Sequence, residues 1–148
     1  MTLPMRHSSL HNLLLAQTNS FSGDNTLSFT DTLVRTAERI EGCAAAVVLG
    51  LDGITIERQI IDIDPALDVE LMVTEFATLV RRAQRTASDT ALGDMTEVVL
   101  ATDRLTFLVR PITFEYFVML ALNPGANLGR ARFELRKAQL EMETEFAL

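Results

Sequence analysis

Between Pro65 and Ser88, apolar residues recur at steps of three and four: Val69, Met72, Val73, Phe76, Leu79, Val80, Ala83 and Ala87. This spacing predicts one long amphipathic helix with a broad core face. Pro65 suits its first turn, where a fixed φ and a missing N–H cost nothing, and Asp64 can cap it. The opposite face carries a second pattern. Leu67, Leu71, Thr74, Thr78, Arg81 and Arg85 form a narrower heptad seam on the side that should meet water. The seam predicts that something packs on the outside of this helix.

The remaining elements follow from changes of period. Leu33, Val34, Ala37 and Ile40 predict a short helix capped by Thr30, stapled by Phe29 to Val34 and ended at Gly42. Ala44–Leu49 is continuously apolar, as a strand covered on both faces would be. Asp52-Gly53 predicts a tight hairpin, since both positions tolerate positive φ, leading to a mixed strand, Ile54–Ile60, nearer an edge. After a turn at Leu92-Gly93-Asp94 come three strands: Thr96–Ala101, Leu105–Ile112 and Glu115–Leu122. The short link Thr102–Arg104 permits only an antiparallel hairpin. In the middle strand Leu105, Phe107 and Val109 share one face, and Thr106, Leu108 and Arg110 the other. Glu115–Leu122 is apolar on both faces and belongs at the centre beside Ala44–Leu49, which leaves Ile54–Ile60 and Thr96–Ala101 on the two edges. Asn123-Pro124-Gly125 reads as a type II turn, and Asn127 caps a final helix with Leu128, Ala131, Leu135, Ala138, Met142 and Phe146 inward. Gly129 in its first turn is read as a close approach of helix to sheet.

Residues 1–28 are polar and aperiodic and are read as a disordered extension, with residues 29–148 as the single domain. The HNLLLAQ segment within the extension has the pattern of one helical turn that docks on the domain. His7 and His11 have the spacing of a metal pair but no nearby third ligand, so they read as solvent-exposed. Leu13–Ala16 is shorter than the ~7–15 apolar residues of a secretion signal core. No run approaches the ~20 residues of a membrane span.

Composition narrows the function classes. The chain has 148 residues, 48% hydrophobic and 22% charged, with a formal net charge of −7. That charge, with no Trp and a single Tyr, argues against nucleic-acid binding. Cys43 is the only cysteine, which excludes an internal disulfide or a Cys-based zinc site and suits a reducing, cytoplasmic setting. The chain lacks GxxxxGK[ST] and HExxH, and both histidines lie in the extension. Neither an enzyme nor a cofactor is expected.

The one basic cluster is Arg81, Arg82 and Arg85, in the second half of the long helix; Asp68, Glu70 and Glu75 make its first half acidic. Two copies laid antiparallel would set Glu70 near Arg82 and the Leu67/Leu71 end against the stems of Arg85 and Arg81. Such pairing is self-complementary about a two-fold axis. The two leucines carry this expectation, since exposed ion pairs stabilise little.

The stretches AAAVVLGLDGITIE, RPITFEYFVMLAL and NPGANLGRARFEL, taken with the order of elements, resemble the Roadblock/dynein light chain family, in particular its small bacterial MglB-like members, regulators of Ras-like GTPases. The resemblance spans about Thr30 to Phe146. It implies an α+β, profilin-like Roadblock fold: a five-stranded antiparallel sheet with the long helix on one face and the terminal helices on the other. It also implies a homodimer made through the long helices and the edge strand Thr96–Ala101, with Thr96, Val98 and Leu100 at the contact. Its implied partner is a Ras-like small GTPase that this chain regulates or scaffolds, with Glu75, Arg82 and Arg85 as candidate contacts. No arginine finger is assigned. A ligand-sensing module and a structural adaptor without a GTPase are the alternatives.

Overall fold

The computed structural model describes residues 23–147. The extension's HNLLLAQ segment, its two histidines and its expected disorder up to residue 22 lie outside the described residues. Element order is α1 (Gly23–Glu38), β1 (Cys43–Gly50), β2 (Thr55–Ile60), α2 (Val69–Asp89), β3 (Val98–Ala101), β4 (Thr106–Pro111), β5 (Tyr116–Leu122) and α3 (Leu128–Ala147). The strands form one antiparallel sheet in the order β2-β1-β5-β4-β3. The two continuously apolar strands are neighbours at its centre, which leaves β2 and β3 as the edges, as expected.

The sheet separates two half-cores. On one side Ala46 and Val48 of β1, Leu108 of β4 and Val118 and Leu120 of β5 pack under Leu33 of α1 and Ala131, Leu135 and Met142 of α3. On the other, Ala45, Val47, Phe107, Val109, Phe117 and Met119 pack under Val73, Phe76, Ala77 and Val80 of α2. The alternation read along β4 holds: Leu105, Phe107 and Val109 face α2, while Leu108 faces α1 and α3.

Several local expectations are corrected. Thr30 does not cap α1, which begins at Gly23. Phe29 belongs to the helix's own core stripe and stacks on Phe146 at 5.0 Å, so it does not act as a staple to Val34. Pro65 does not open α2. Leu67 N–H donates to the Asp64 carbonyl (3.0 Å) and Ala66 N–H to Asp64 Oδ1 (2.9 Å). Proline therefore occupies the second position of a β-turn, which its φ suits equally well. The Ala66 N–H, and after it the Arg104 guanidinium, hold the Asp64 carboxyl below the usual carboxylate range. Asp68 is the cap, accepting from Leu71 N–H at 3.0 Å. Asp52 does not adopt positive φ; only Gly53 does (+86°). Gly53 N–H bonds the Gly50 carbonyl, closing a three-residue hairpin with glycine in the left-handed position.

Gly129 makes no close approach to the sheet: an added Cβ would meet only Asn127 Oδ1, at 3.4 Å. The tight contact is at Gly42, where φ is +88° and a Cβ would come within 2.9 Å of Ala126 Cβ. The Pro-Gly turn and the Asn127 cap form as expected, with Ala126 N–H on the Asn123 carbonyl (3.1 Å) and Arg130 N–H on Asn127 Oδ1 (2.9 Å).

Candidate interaction surface

The outer face of α2 is built on the Asp68 cap, which sets the helix rotation from its first turn. Leu71 is 56% exposed and Leu79 38%. The pattern alone put Leu79 on the core face; instead Ala77 points inward at 1% exposure, and Leu79 joins Leu71 outside. The small Ala77 fits into the core beside Gly53 of the hairpin, and the larger leucine is turned away. The outer face therefore holds two leucines two turns apart, with exposed Thr74, Glu75 and Thr78 between them.

Leu67 departs from the predicted seam. It lies in the turn before the helix, half-buried against the core under α2. Arg81 is exposed but tied back to its own protomer, donating to the Leu51 carbonyl and to Thr78 Oγ1 (3.3 Å). Glu70 is likewise engaged, by Arg58 of β2 at 2.7 Å. Among the described residues Arg82 and Arg85 form no ion pair. Thr74 and Thr78 turn their hydroxyls back onto the Glu70 and Thr74 carbonyls. Their methyl groups are left as the outward chemistry.

β3 is the edge strand expected in the same contact. Thr96 is exposed and precedes the strand, so it is not a ladder residue. Val98 is half-buried against the core under α2, and Leu100 is 39% exposed. β3 pairs with β4 alone among the described strands, leaving a row of outward N–H and C=O groups.

One network escaped sequence reasoning. Glu97, just before β3, accepts from Arg110 of β4 (3.2 Å) and Arg132 of α3 (3.0 Å), and Arg110 also donates to Gln139 (2.6 Å). Arg110 lines an open cleft of about 510 Å³ with Gln84, Thr96, Phe114 and Glu143. These partners come from separate elements, so no local spacing announced them. Glu134, buried at 2%, was also missed, although its place between Ala131 and Ala138 near the inward row is a signal that could have found it.

Among the described residues no group of three His, Cys, Asp or Glu could hold a metal ion. Cys43 is buried, and that burial pushes its thiol up to about 11 against a weaker opposing hydrogen bond with the Ala45 backbone. Such a thiol is a packing group, not a nucleophile. No described helix is long and apolar enough to cross a membrane.

No family model matches the chain, and none of the curated proteins does either. Solved structures do. MglC from Myxococcus xanthus is 28% identical, with a TM-score of 0.59 over 80% of this chain and 98% of that one. The gliding protein MglB from Thermus thermophilus is 16% identical, with a TM-score of 0.71 over 80% and 87%. A Roadblock/LC7 domain from Streptomyces avermitilis is 15% identical, with a TM-score of 0.68 over 79% and 96%. The chain has the MglB-like Roadblock/LC7 fold.

Proposed function

We propose that this chain is a non-enzymatic homodimeric regulator or scaffold of a Ras-like small GTPase, of the GTPase-activating type, acting in the cytoplasm. The observation that carries the reading is the outer face of α2. Exposed Leu71 and Leu79, flanked by Arg82 and Arg85 without ion pairs, are accompanied by an open β3 edge in a Roadblock/LC7 fold. Pairing α2 and β3 with those of a second copy buries the leucines and satisfies the edge. Thr74, Thr78, Leu100 and Val98 fall within that contact. Leu67, half-buried, and Arg81, tied to Leu51, take its margin, and Thr96 lies just beyond the strand.

Glu75, Arg82 and Arg85 form the rim offered to the GTPase. The GTPase holds nucleotide and Mg²⁺ itself, and the rim orders its switch loops. The experiment mixes the pure protein with a co-encoded Ras-like GTPase loaded with GDP or a GTP analogue. Binding in one nucleotide state, with a changed rate of hydrolysis or exchange, is the expected result. Absence of binding in both states overturns the proposal.

A further inference from the structure

The face of α3 turned away from the sheet is a second exposed surface, on the opposite side of the molecule from α2. Phe133 (57% exposed) and Leu140 (53%) lie one heptad apart, with Arg136 and Lys137 between them on the same side. The Lys137 ammonium stands 5.3 Å from the Phe133 ring centroid.

The surrounding charge is unbalanced. Glu134 serves Arg39 (3.8 Å), Arg130 (3.0 Å) and Lys137 (3.7 Å), and Glu97 serves Arg110 and Arg132. Arg136 forms no ion pair among the described residues. Neither Glu38 nor Glu41, the carboxylates nearest Arg39 in sequence, pairs with any of these cations. Five cations thus share two carboxylates and Arg136 has none, in a chain whose net charge is −7. A cationic apolar seam on an acidic protein is complementary to an acidic amphipathic helix.

We propose that this face docks a partner protein through such a helix, with apolar residues at heptad steps against Phe133 and Leu140 and carboxylates over Arg136 and Lys137. A second copy fits poorly. Antiparallel α3 pairing would match Phe133 with Leu140 only by setting Arg136 of each copy against Lys137 of the other. Nucleic acid would use the cations and leave the exposed phenyl and leucyl groups without a role.

The test is fluorescence anisotropy on the full chain with labelled peptides of about three heptads, long enough to hold a helix against a surface. One peptide has a leucine seam flanked by Glu, one the same seam flanked by Lys, and one the scrambled Glu composition. The Glu peptide is expected to bind at least ~10-fold tighter than either control. Phe133→Ser and Arg136→Glu should each weaken it at least ~10-fold, and Ile54→Ser, at an exposed residue of the β1–β2 hairpin, should leave it unchanged. Both α3 positions are exposed, so an unchanged thermal melt separates lost docking from lost folding. Equal binding of Glu and scrambled peptides overturns the proposal, as does loss on Ile54→Ser but not Phe133→Ser. A light-scattering mass that falls on Phe133→Ser shows a second copy there and also overturns it. So does duplex DNA that binds through Arg136 independently of Phe133. None of these results depends on GTPase binding, so the two proposals fail separately.

Discussion

Replacing Leu71 with alanine separates a solvated helix face from a buried seam. In the protomer Leu71 is 56% exposed, so truncation removes few contacts and unfolding of a monomer should change by no more than about 0.5 kcal/mol. In a two-fold dimer the exposed part of the side chain becomes buried. Full burial of a leucine stabilises by about 1.5–3 kcal/mol, so roughly half of one contributes about 1–1.5 kcal/mol. Symmetry doubles this to about 2–3 kcal/mol per dimer, or roughly 30- to 150-fold in Kd. Leu71→Arg should cost more, because it adds a charge to a closing apolar contact. Sedimentation equilibrium over a dilution series measures the shift directly, with light scattering as the check on mass. A wild-type mass of one chain at micromolar concentration refutes the reasoning. So does a dimer whose Kd is unmoved by Leu71→Ala.

Four further substitutions probe the single chain. Phe76 is 6% exposed, with its ring 4.3 Å from Phe107, so Phe76→Ala should cost about 3–5 kcal/mol in denaturant unfolding. Asp68→Ala removes the acceptor of the Leu71 N–H and should cost about 1 kcal/mol, whereas Pro65→Ala, in the preceding turn, should leave α2 helicity intact by circular dichroism. Burial favours the neutral thiol of Cys43, so its contribution is intact below about pH 8.5 and lost as pH rises through about 11. The loss is about 2–3 kcal/mol; Cys43→Ala should flatten that limb of the pH–stability curve, and the folded wild type should resist iodoacetamide at about pH 8.

The sheet was legible because burial on two faces leaves a run that no other environment tolerates. Cys43–Gly50 and Tyr116–Leu122 had to be central, which left Thr55–Ile60 and Val98–Ala101 as the edges. Helix starts were less legible, because two local rules competed. Pro65 satisfies both a first helical turn and a β-turn, and only the Asp64 and Asp68 hydrogen bonds decide between them. The α2 surface was half legible. Leu71 was read outward correctly, but Leu79 was read inward and Ala77, which fills the core instead, was not read at all, because three- and four-residue steps fit more than one rotation of the helix. Arg81 and Glu70 looked free in sequence; their partners, Leu51 and Arg58, come from the hairpin across the core. The Glu97–Arg110–Arg132 network was invisible for the same reason, since it joins residues that only the folded sheet brings together.

The order of strands has a consequence for how the chain is made. β1 finds β2 immediately, but its other edge waits for β5, pairing Val47 with Met119 across the whole of α2, β3 and β4. Until Leu122 has left the ribosome, the β1–β2 hairpin holds an eight-residue apolar strand with an open edge and half of its covering absent. Non-local closure of this kind slows folding and leaves an aggregation-prone intermediate at its door. The long α2, capped by its own Asp68, can form early and shield one side of that hairpin while the last strand is still being synthesised.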